Sequence, residues 1–302
     1  MEPITALMNK YNQVTSLDLS DNNIGVEGVK YLSIALMNKN KKVTTLKLYN
    51  NNIGVEGARS LSTALMTKNN KVIELDLSSN KIGDDGARFL STALMNENNK
   101  VIALNLAMCM LGDEGVKSLS TALMNGNNKA VDLDLTWNNS GDDGVQSLSI
   151  ALMNRNNKVS TLKLERNNIG DDGAKSLSTA LTNENSKVTS LNLNCNNLGT
   201  PGFVALLESL RFSVVSHLQV ASQRLSYSRA RIPFKLTIAF NKYIPRLVCL
   251  ASVRTIPRIG VQSCHFRELS SDILIRVMQT LGWLIDYQET IRMLKEDIEN
   301  EK

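Results

Sequence analysis

Two hydrophobic spacings alternate along the first two thirds of the chain. In one copy, Leu46 and Leu48 flank the polar Lys47, which is the alternation of a short, half-buried β-strand. The segment 58–65 then places apolar residues at three- and four-residue intervals, which predicts a helix with one apolar face. Because neither element can bury its apolar side alone, neighbouring copies must stack to form a continuous core.

The strand pattern recurs with a period of 29 residues. The Leu-x-Leu pairs are Leu17/Leu19, Leu46/Leu48, Leu75/Leu77, Leu104/Leu106, Leu133/Leu135, Leu162/Leu164 and Leu191/Leu193. Repeated strand–turn–helix units of this kind predict a parallel sheet lined on one side by helices. Helices are wider than strands, so the stack should curve with the strands inside. The predicted fold class is a right-handed α/β solenoid with a parallel inner sheet, outer helices and an α-helical C-terminal cap.

Polar residues recur where the chain leaves each strand. An asparagine there can bond to the backbone of adjacent turns and form a ladder. The asparagines are Asn22, Asn51, Asn80, Asn138, Asn167 and Asn196. The fourth copy has Cys109 instead, and the fifth has Ser140 in place of a buried isoleucine, which we expect to loosen that turn slightly. Acid pairs such as Asp84-Asp85 stand at helix starts, where we expect them to cap amides and complement the helix dipole.

The motif L-x-L-x-x-N-x-[IL]-G, followed by a helix containing L-x-x-A-L, resembles leucine-rich repeats of the ribonuclease-inhibitor type. That group includes ribonuclease inhibitor, the sensor regions of NOD-like receptors and the Ran GTPase-activating protein. The resemblance covers about residues 1–210. It implies a curved solenoid that binds proteins on its concave face, and it is more specific for fold than for function.

Composition divides the chain into three predicted parts. Residues 1–210 form the solenoid, with seven repeats after an N-terminal half repeat. Residues 211–267 contain ten Lys or Arg and no Asp or Glu. We interpret them as degenerate repeats that cap the stack; the alternatives are a cationic surface for nucleic acid or anionic lipid, or a poorly ordered insert. Residues 268–302 have helical spacing and predict a capping hairpin, although their beginning faintly resembles an F-box.

Overall composition excludes several protein classes. With 42% hydrophobic residues, 21% charged residues and a net charge of +5 over 302 residues, the chain is not a disordered polyelectrolyte. No uncharged apolar stretch approaches the roughly 18 residues of a transmembrane helix, so the chain is not predicted to span a membrane. The N-terminus lacks an export signal and the four cysteines form no CxxC pair, which favours a cytoplasmic protein with reduced thiols.

Catalytic and cofactor signatures are weak. The chain has two histidines, and both lie outside the regular repeats. A histidine-rich metal site is therefore nearly excluded, and no catalytic constellation is apparent. The acid pairs are better explained by helix capping than by cation binding. We predict a non-enzyme with no cofactor, no metal and no small-molecule substrate.

Differences among the copies indicate which residues bind a partner. A residue present in every copy is explained by stacking, whereas a residue found in one copy at a solvent-facing position is a candidate for recognition. Three consecutive copies carry Met108, Trp137 and Arg166 where the others have small or polar residues. Such residues are enriched at the centres of protein interfaces. The predicted charged surround consists of Asp132, Asp134, Lys163 and Glu165, and Tyr49 is a further candidate for partner binding. The alternative is that Trp137 merely packs on its neighbours.

The sequence therefore predicts a cytosolic scaffold or sensor that binds a protein partner on the concave face. One alternative is a GTPase-activating regulator of the Ran-regulator type, although the chain lacks the acidic tail that this resemblance implies. A second is a ubiquitin-ligase substrate adaptor that recruits the ligase through residues 268–302. A third is a protein tethered to nucleic acid or an anionic membrane through residues 211–267.

Overall fold

Short strands and helices alternate along the chain in the computed structural model, which describes residues 13–210, 212–222 and 234–239. The strands are β1 (Ser16–Asp18), β2 (Thr45–Lys47), β3 (Glu74–Asp76), β4 (Ala103–Asn105), β5 (Asp132–Asp134), β6 (Thr161–Lys163), β7 (Ser190–Asn192), β8 (His217–Ser222) and β9 (Phe234–Ala239). The helices are α1 (Gly25–Leu36), α2 (Gly54–Leu65), α3 (Gly83–Leu94), α4 (Asp113–Leu123), α5 (Asp142–Leu152), α6 (Asp171–Thr182) and α7 (Thr200–Ser209).

All nine strands form one sheet in chain order. From β1 to β7, each residue pairs with its equivalent one unit later, as in Leu17 with Leu46 and Leu46 with Leu75. Strand β8 continues the parallel stack by pairing Leu218 with Leu191, so the repeat pattern does extend beyond the seventh unit. This arrangement confirms the predicted α/β solenoid.

Strand β9 pairs antiparallel with β8, which the sequence analysis did not predict. The predicted N-terminal half repeat, most of the basic segment 211–267 and the predicted hairpin 268–302 lie outside the described residues.

A single aliphatic core runs through the stack. In the second unit, the strand leucines Leu46 and Leu48, the turn residue Ile53 and the helix residue Leu61 are all fully buried. The equivalent residues of neighbouring units join them in one cluster. Each buried side chain of this size contributes about 1.5–3 kcal/mol relative to an exposed one, so the units stabilise one another by burial along their shared faces.

The predicted asparagine ladder is confirmed. The Asn51 side-chain amide donates to the carbonyl of Leu19 at 2.8 Å, one unit earlier. Its oxygen accepts the backbone N–H groups of Asn22 and Ile24, both at 3.1 Å. One side chain thus satisfies three backbone groups that have no partner in their own turn.

Cys109 occupies the ladder position of the fourth unit. Its thiol donates to the carbonyl of Leu77 at 3.1 Å. The thiol thus replaces the N–H donor of the asparagine side chain, but cysteine has no counterpart of the asparagine's acceptor oxygen. Burial raises the pKa of this thiol to about 12, and the nearby backbone of Asn80 opposes the shift only in part. Cys109 is therefore a structural, neutral thiol.

A second asparagine ladder, which the sequence analysis missed, joins the helix ends. The Asn98 side chain donates to the carbonyl of Met66 at 2.9 Å, at the C-terminus of the preceding helix. Equivalent bonds are made by Asn69, Asn127, Asn156 and Asn185. Terminal helix carbonyls have no intrahelical partner, so these amides stabilise the turn from each helix into the next strand.

The acid pairs lie in the first turns of their helices, as predicted, but the amides that they cap belong to a different helix from the one expected. The first acid of a pair caps the helix of the next unit rather than its own: Asp113 Oδ1 accepts the N–H groups of Gly141 at 2.7 Å and Gly144 at 2.9 Å. The residue before α4, Gly112, has no side chain to cap that helix, and Asp84 of the preceding unit accepts the N–H groups of Gly112 at 2.7 Å and Gly115 at 3.0 Å instead. Asp84, Asp142 and Asp171 make equivalent inter-unit bonds. The stack thus brings each carboxylate to the neighbouring helix start, where the dipole favours it.

This carboxylate also selects the turn before each helix. Gly83 follows a unit with Val55 at the acid position; it has φ of +64° and donates its N–H to the carbonyl of Cys109 at 2.9 Å. Gly112 follows Asp84 instead, has φ of −92° and donates to that carboxylate at 2.7 Å. Glycine is required by backbone conformation in the first turn and by the close carboxylate in the second, where a Cβ would lie 3.2 Å from Asp84 Oδ2.

Ser140 lies fully buried in the turn before α5. Its hydroxyl has no hydrogen-bond partner. The equivalent residues Ile53, Ile82 and Ile169 are fully buried apolar side chains. The fifth unit therefore loses apolar burial and leaves a polar group unsatisfied at the same point.

Replacing Asp113 with alanine should lower the free energy of unfolding by about 1–2 kcal/mol, because two amides at the start of α5 lose a charged acceptor. The matched control is Glu114→Ala, the adjacent acid, whose carboxylate makes only an exposed ion pair with Lys117 at 3.3 Å. The control should change stability by less than about 0.5 kcal/mol. Urea denaturation measures both variants, and equal losses would contradict the inter-unit capping role.

Replacing Ser140 with isoleucine should raise the free energy of unfolding by about 1–2 kcal/mol, since it restores apolar burial and removes an unsatisfied hydroxyl. Ser140→Ala is the control that removes the hydroxyl without filling the space. Thermal and urea denaturation should rank the isoleucine variant above the alanine variant. If isoleucine ranks below wild type, this turn lacks the space that the other units have.

Candidate protein-binding surface

No helix of the described residues covers the solvent-facing side of the sheet, which forms a shallow groove. The groove has a volume of about 340 Å³ and is lined by residues of β2 to β6. The alternation along each three-residue strand turns its central leucine into the core and its two outer residues toward this groove. The variable residues of neighbouring units therefore share one open surface.

The structure brings Met108, Trp137 and Arg166 together immediately beyond β4, β5 and β6. Backbone bonds from Met108 N to Thr136 O and from Trp137 N to Glu165 O, both 2.8 Å, place them on consecutive rungs. Met108 and Trp137 are each 49% exposed. The predicted adjacency of these residues is thus a property of the fold; their role in binding remains a prediction.

Trp137 and Arg166 form an ordered pair. The guanidinium carbon of Arg166 lies 4.1 Å from the centre of the Trp137 ring, within the range of a cation–π interaction. Arg166 Nε lies 3.8 Å from Glu165 Oε1, and Glu165 Oε2 accepts the side-chain amide of Asn192 at 3.2 Å. Trp137 therefore packs on a neighbour, as the alternative interpretation required, and also remains half exposed.

The backbone at these positions is left-handed. The φ angles of Met108, Trp137 and Arg166 are 56°, 55° and 56°. The other units are left-handed at this position too, with Asp21, Asn50, Ser79 and Cys195, so the repeat itself imposes the conformation. Aspartate and asparagine tolerate it best, whereas a bulky side chain here costs about 1 kcal/mol or more. The hydrophobic pattern gives no sign of this strain.

Asp134 has an architectural role besides its place at the site. Its Oδ1 accepts the N–H of Thr136 at 3.0 Å, which closes a side-chain turn at the end of β5. Its Oδ2 pairs with Lys163 Nζ, also at 3.0 Å. The structure thus joins the predicted residues Asp134 and Lys163 directly. Asp76 and Asn192 make the same turn at the ends of their own strands.

Tyr49 is separated from the other predicted residues. It is 39% exposed and lies in the second unit, two rungs before Met108. At about 4.8 Å per rung, it is roughly 10 Å along the sheet from that residue. Any partner that contacts both must therefore cover several units.

Four apolar residues at the edges of the sheet, three exposed and one half-buried, were not among the predicted site residues. Met110 is 66% exposed and also left-handed, with φ of 61°. Together with Met108, Trp137 and Arg166 it forms what we call the C-edge patch. Ile73 and Ile102 are exposed and Val131 is half-buried at the opposite edge, just before β3, β4 and β5. Extending the comparison of units by one or two positions on either side would have revealed all four.

Two other features would be relevant to function in the described part of the chain, a metal site and a membrane-spanning helix. Among those residues, no three His, Cys, Asp or Glu side chains are grouped so that they could hold a metal ion. No helix within the same ranges has the length and apolar character to cross a membrane.

The repeat units match a known protein family. The family described as Leucine Rich repeat matches residues 13–33, 39–62, 68–91, 97–120, 131–149, 155–178 and 184–207. The comparison with curated proteins found no match. Among solved structures, the chain is similar to Leiomodin-1 Actin-Binding Site 2 (ABS2), with 14% identity and a TM-score of 0.32 over 70% of this chain and 86% of that one. The repeat matches cover more than half of the 302 residues, and the chain belongs to the leucine-rich repeat family.

Proposed function

We propose that the chain is a cytoplasmic scaffold or sensor of the ribonuclease-inhibitor type, which binds a protein partner at its concave face and performs no catalysis. Leucine-rich repeat proteins are in general binding scaffolds. The observation that carries the proposal is the Trp137–Arg166 stack, which stands half exposed just beyond the ends of β5 and β6, at a position where most other units have small or polar residues.

The energetics of the stack suit an interface centre. Tryptophan and arginine are the residue types that most often dominate binding energy. Because Arg166 already lies against the ring and beside Glu165, a partner would not have to order these side chains. The Asp134–Lys163 pair supplies charges near the stack that favour a complementary partner.

Two alternatives predicted from the sequence gain no specific support. GTPase activation has no identifying arrangement among the described residues. Ubiquitin-ligase recruitment would depend on residues 268–302, which lie outside them. Tethering through residues 211–267 would require binding that falls steeply with salt, and this can be measured separately from concave-face binding.

Replacing Trp137 with asparagine should weaken partner binding by about 2 kcal/mol or more, roughly 30-fold in Kd. Thermal stability should stay equal or rise, because asparagine adopts the left-handed conformation more easily than tryptophan. The matched control is Tyr31→Ser: Tyr31 is exposed on α1, and equivalent helix positions such as Ser60 and Ser118 already have serine.

Affinity capture with wild type, Trp137→Asn and Tyr31→Ser identifies binding partners. Titration of each partner against the three proteins then gives the Kd values. A partner retained by the tyrosine control and lost by the tryptophan variant supports the proposal. Identical partner sets and affinities for all three proteins would exclude the concave stack as the binding site.

A further inference from the structure

An apolar strip lies at the edge of the sheet opposite the C-edge patch. It consists of Ile73, Ile102 and Val131, and we call it the N-edge strip. Backbone bonds from Ile102 N to Ile73 O and from Val131 N to Ile102 O, both 2.8 Å, place the three on consecutive rungs. Ile73 is 37% and Ile102 40% exposed.

Stacking does not explain the strip. The equivalent residues of the other units are the polar Thr44, Ser160, Thr189 and Ser216. These units stack with the same strand register, so the fold does not need hydrocarbon at this position. Contiguous exposed apolar side chains confined to neighbouring units are characteristic of an interaction surface.

The sheet between the two apolar edges is acidic. Glu74, Asp76 and Asp132 face the groove from β3 and β5, and none forms an ion pair with another residue in the described ranges. Asp76 accepts the Ser78 hydroxyl at 2.6 Å, and Glu74 accepts the Thr45 hydroxyl at 3.2 Å. Strand β4 between them contributes the uncharged Ala103 and Asn105.

The lysines of the groove do not neutralise this centre. Lys163 pairs with Asp134 at 3.0 Å, and Lys47 lies 3.9 Å from Asp18. Both lysines are thus paired with a carboxylate of the preceding unit. The groove lining thus has four carboxylates against two lysines, and it keeps a net negative charge.

The geometry points to a cationic protein segment as the occupant, and this inference rests on the proposed function. We propose that a lysine- or arginine-rich segment of the partner crosses the sheet, with apolar residues on the N-edge strip and the C-edge patch. Its basic side chains lie over Ala103 with their charged groups toward Glu74 and Asp132. Five residues separate Ile102 from Met108, so the two edges lie at most about 20 Å apart, a distance that about thirteen helical residues also span.

Charge complementarity excludes the other occupants. An anionic or phosphorylated ligand would be repelled by Glu74, Asp76 and Asp132. A neutral apolar segment would cover the edges well but would remove these carboxylates from water without a partner. A cationic segment with apolar flanks complements both the apolar edges of the sheet and the acidic centre of the groove.

The test is selection of random 12-residue peptides, displayed on phage, against the full chain. Enriched peptides should carry net positive charge with an apolar residue on each side of the basic group. Synthetic copies should bind at least 10-fold more weakly to Glu74→Thr/Asp132→Thr and to Ile73→Thr/Ile102→Thr. Threonine is native at the equivalent positions Thr45, Thr161 and Thr44, so these variants should fold, as urea denaturation will check.

The matched control is Ile34→Thr/Ile150→Thr. These isoleucines are 55% and 53% exposed on α1 and α5, and the equivalent helix positions of other units are Thr63, Thr92, Thr121 and Thr179. The selected peptides should bind this control like wild type. They should bind less tightly as salt rises.

Two results separate this inference from the proposed function. A selection that enriches no cationic sequence, or peptides that bind equally to the groove and control variants, overturns the inference. If the enriched peptides are not cationic but lose binding on Trp137→Asn, the inference is wrong and the proposed function stands. If cationic peptides depend on Glu74 and Asp132 but not on Trp137, the inference stands and the Trp137 stack loses its proposed role.

Discussion

In-register stacking of 29-residue units is the constraint on which this structure depends. A three-residue strand and a three-turn helix cannot bury their apolar sides alone, so each unit completes its core only against its neighbours. Polar groups follow the same rule. Asn51 bonds to the unit before it through Leu19, and Asp113 bonds to the unit after it through Gly141. Losing one side chain therefore affects two units.

The stack also aligns the helices in one direction, so that their dipoles add. Carboxylates such as Asp113 and Asp142 meet the positive ends of the neighbouring helices. At the other end, Lys129 and Lys158 donate to the carbonyls of Asn99 and Asn128 at 2.7 and 2.6 Å, in the turns that follow the helices. In the units that have these residues, the carboxylates thus lie at the helix starts and the lysines near the helix ends, where each complements the helix dipole.

Because the repeated residues carry the stability, the solvent-facing strand positions are free to vary. Stacking does not need the side chains of Trp137 and Ile102. Most other units have small or polar residues at the same positions and stack in the same register. The cost of these two side chains to the fold is tolerated because the neighbouring ladders fix the backbone around them. These apolar residues border a groove whose lining includes Glu74, Asp76 and Asp132, none of them in an ion pair with another described residue.

The sequence by itself determined the solenoid, its repeat length and the first asparagine ladder, because hydrophobic period and unit spacing are local properties of the chain. It also determined that Met108, Trp137 and Arg166 stand together, since the 29-residue register converts sequence position into rung. The tertiary structure alone decided that Asp113 caps the next helix, that Trp137 stacks on Arg166, and that β9 turns back on β8. These contacts depend on how far apart neighbouring units lie and how they are oriented. The spacing of residues along the sequence does not specify either quantity.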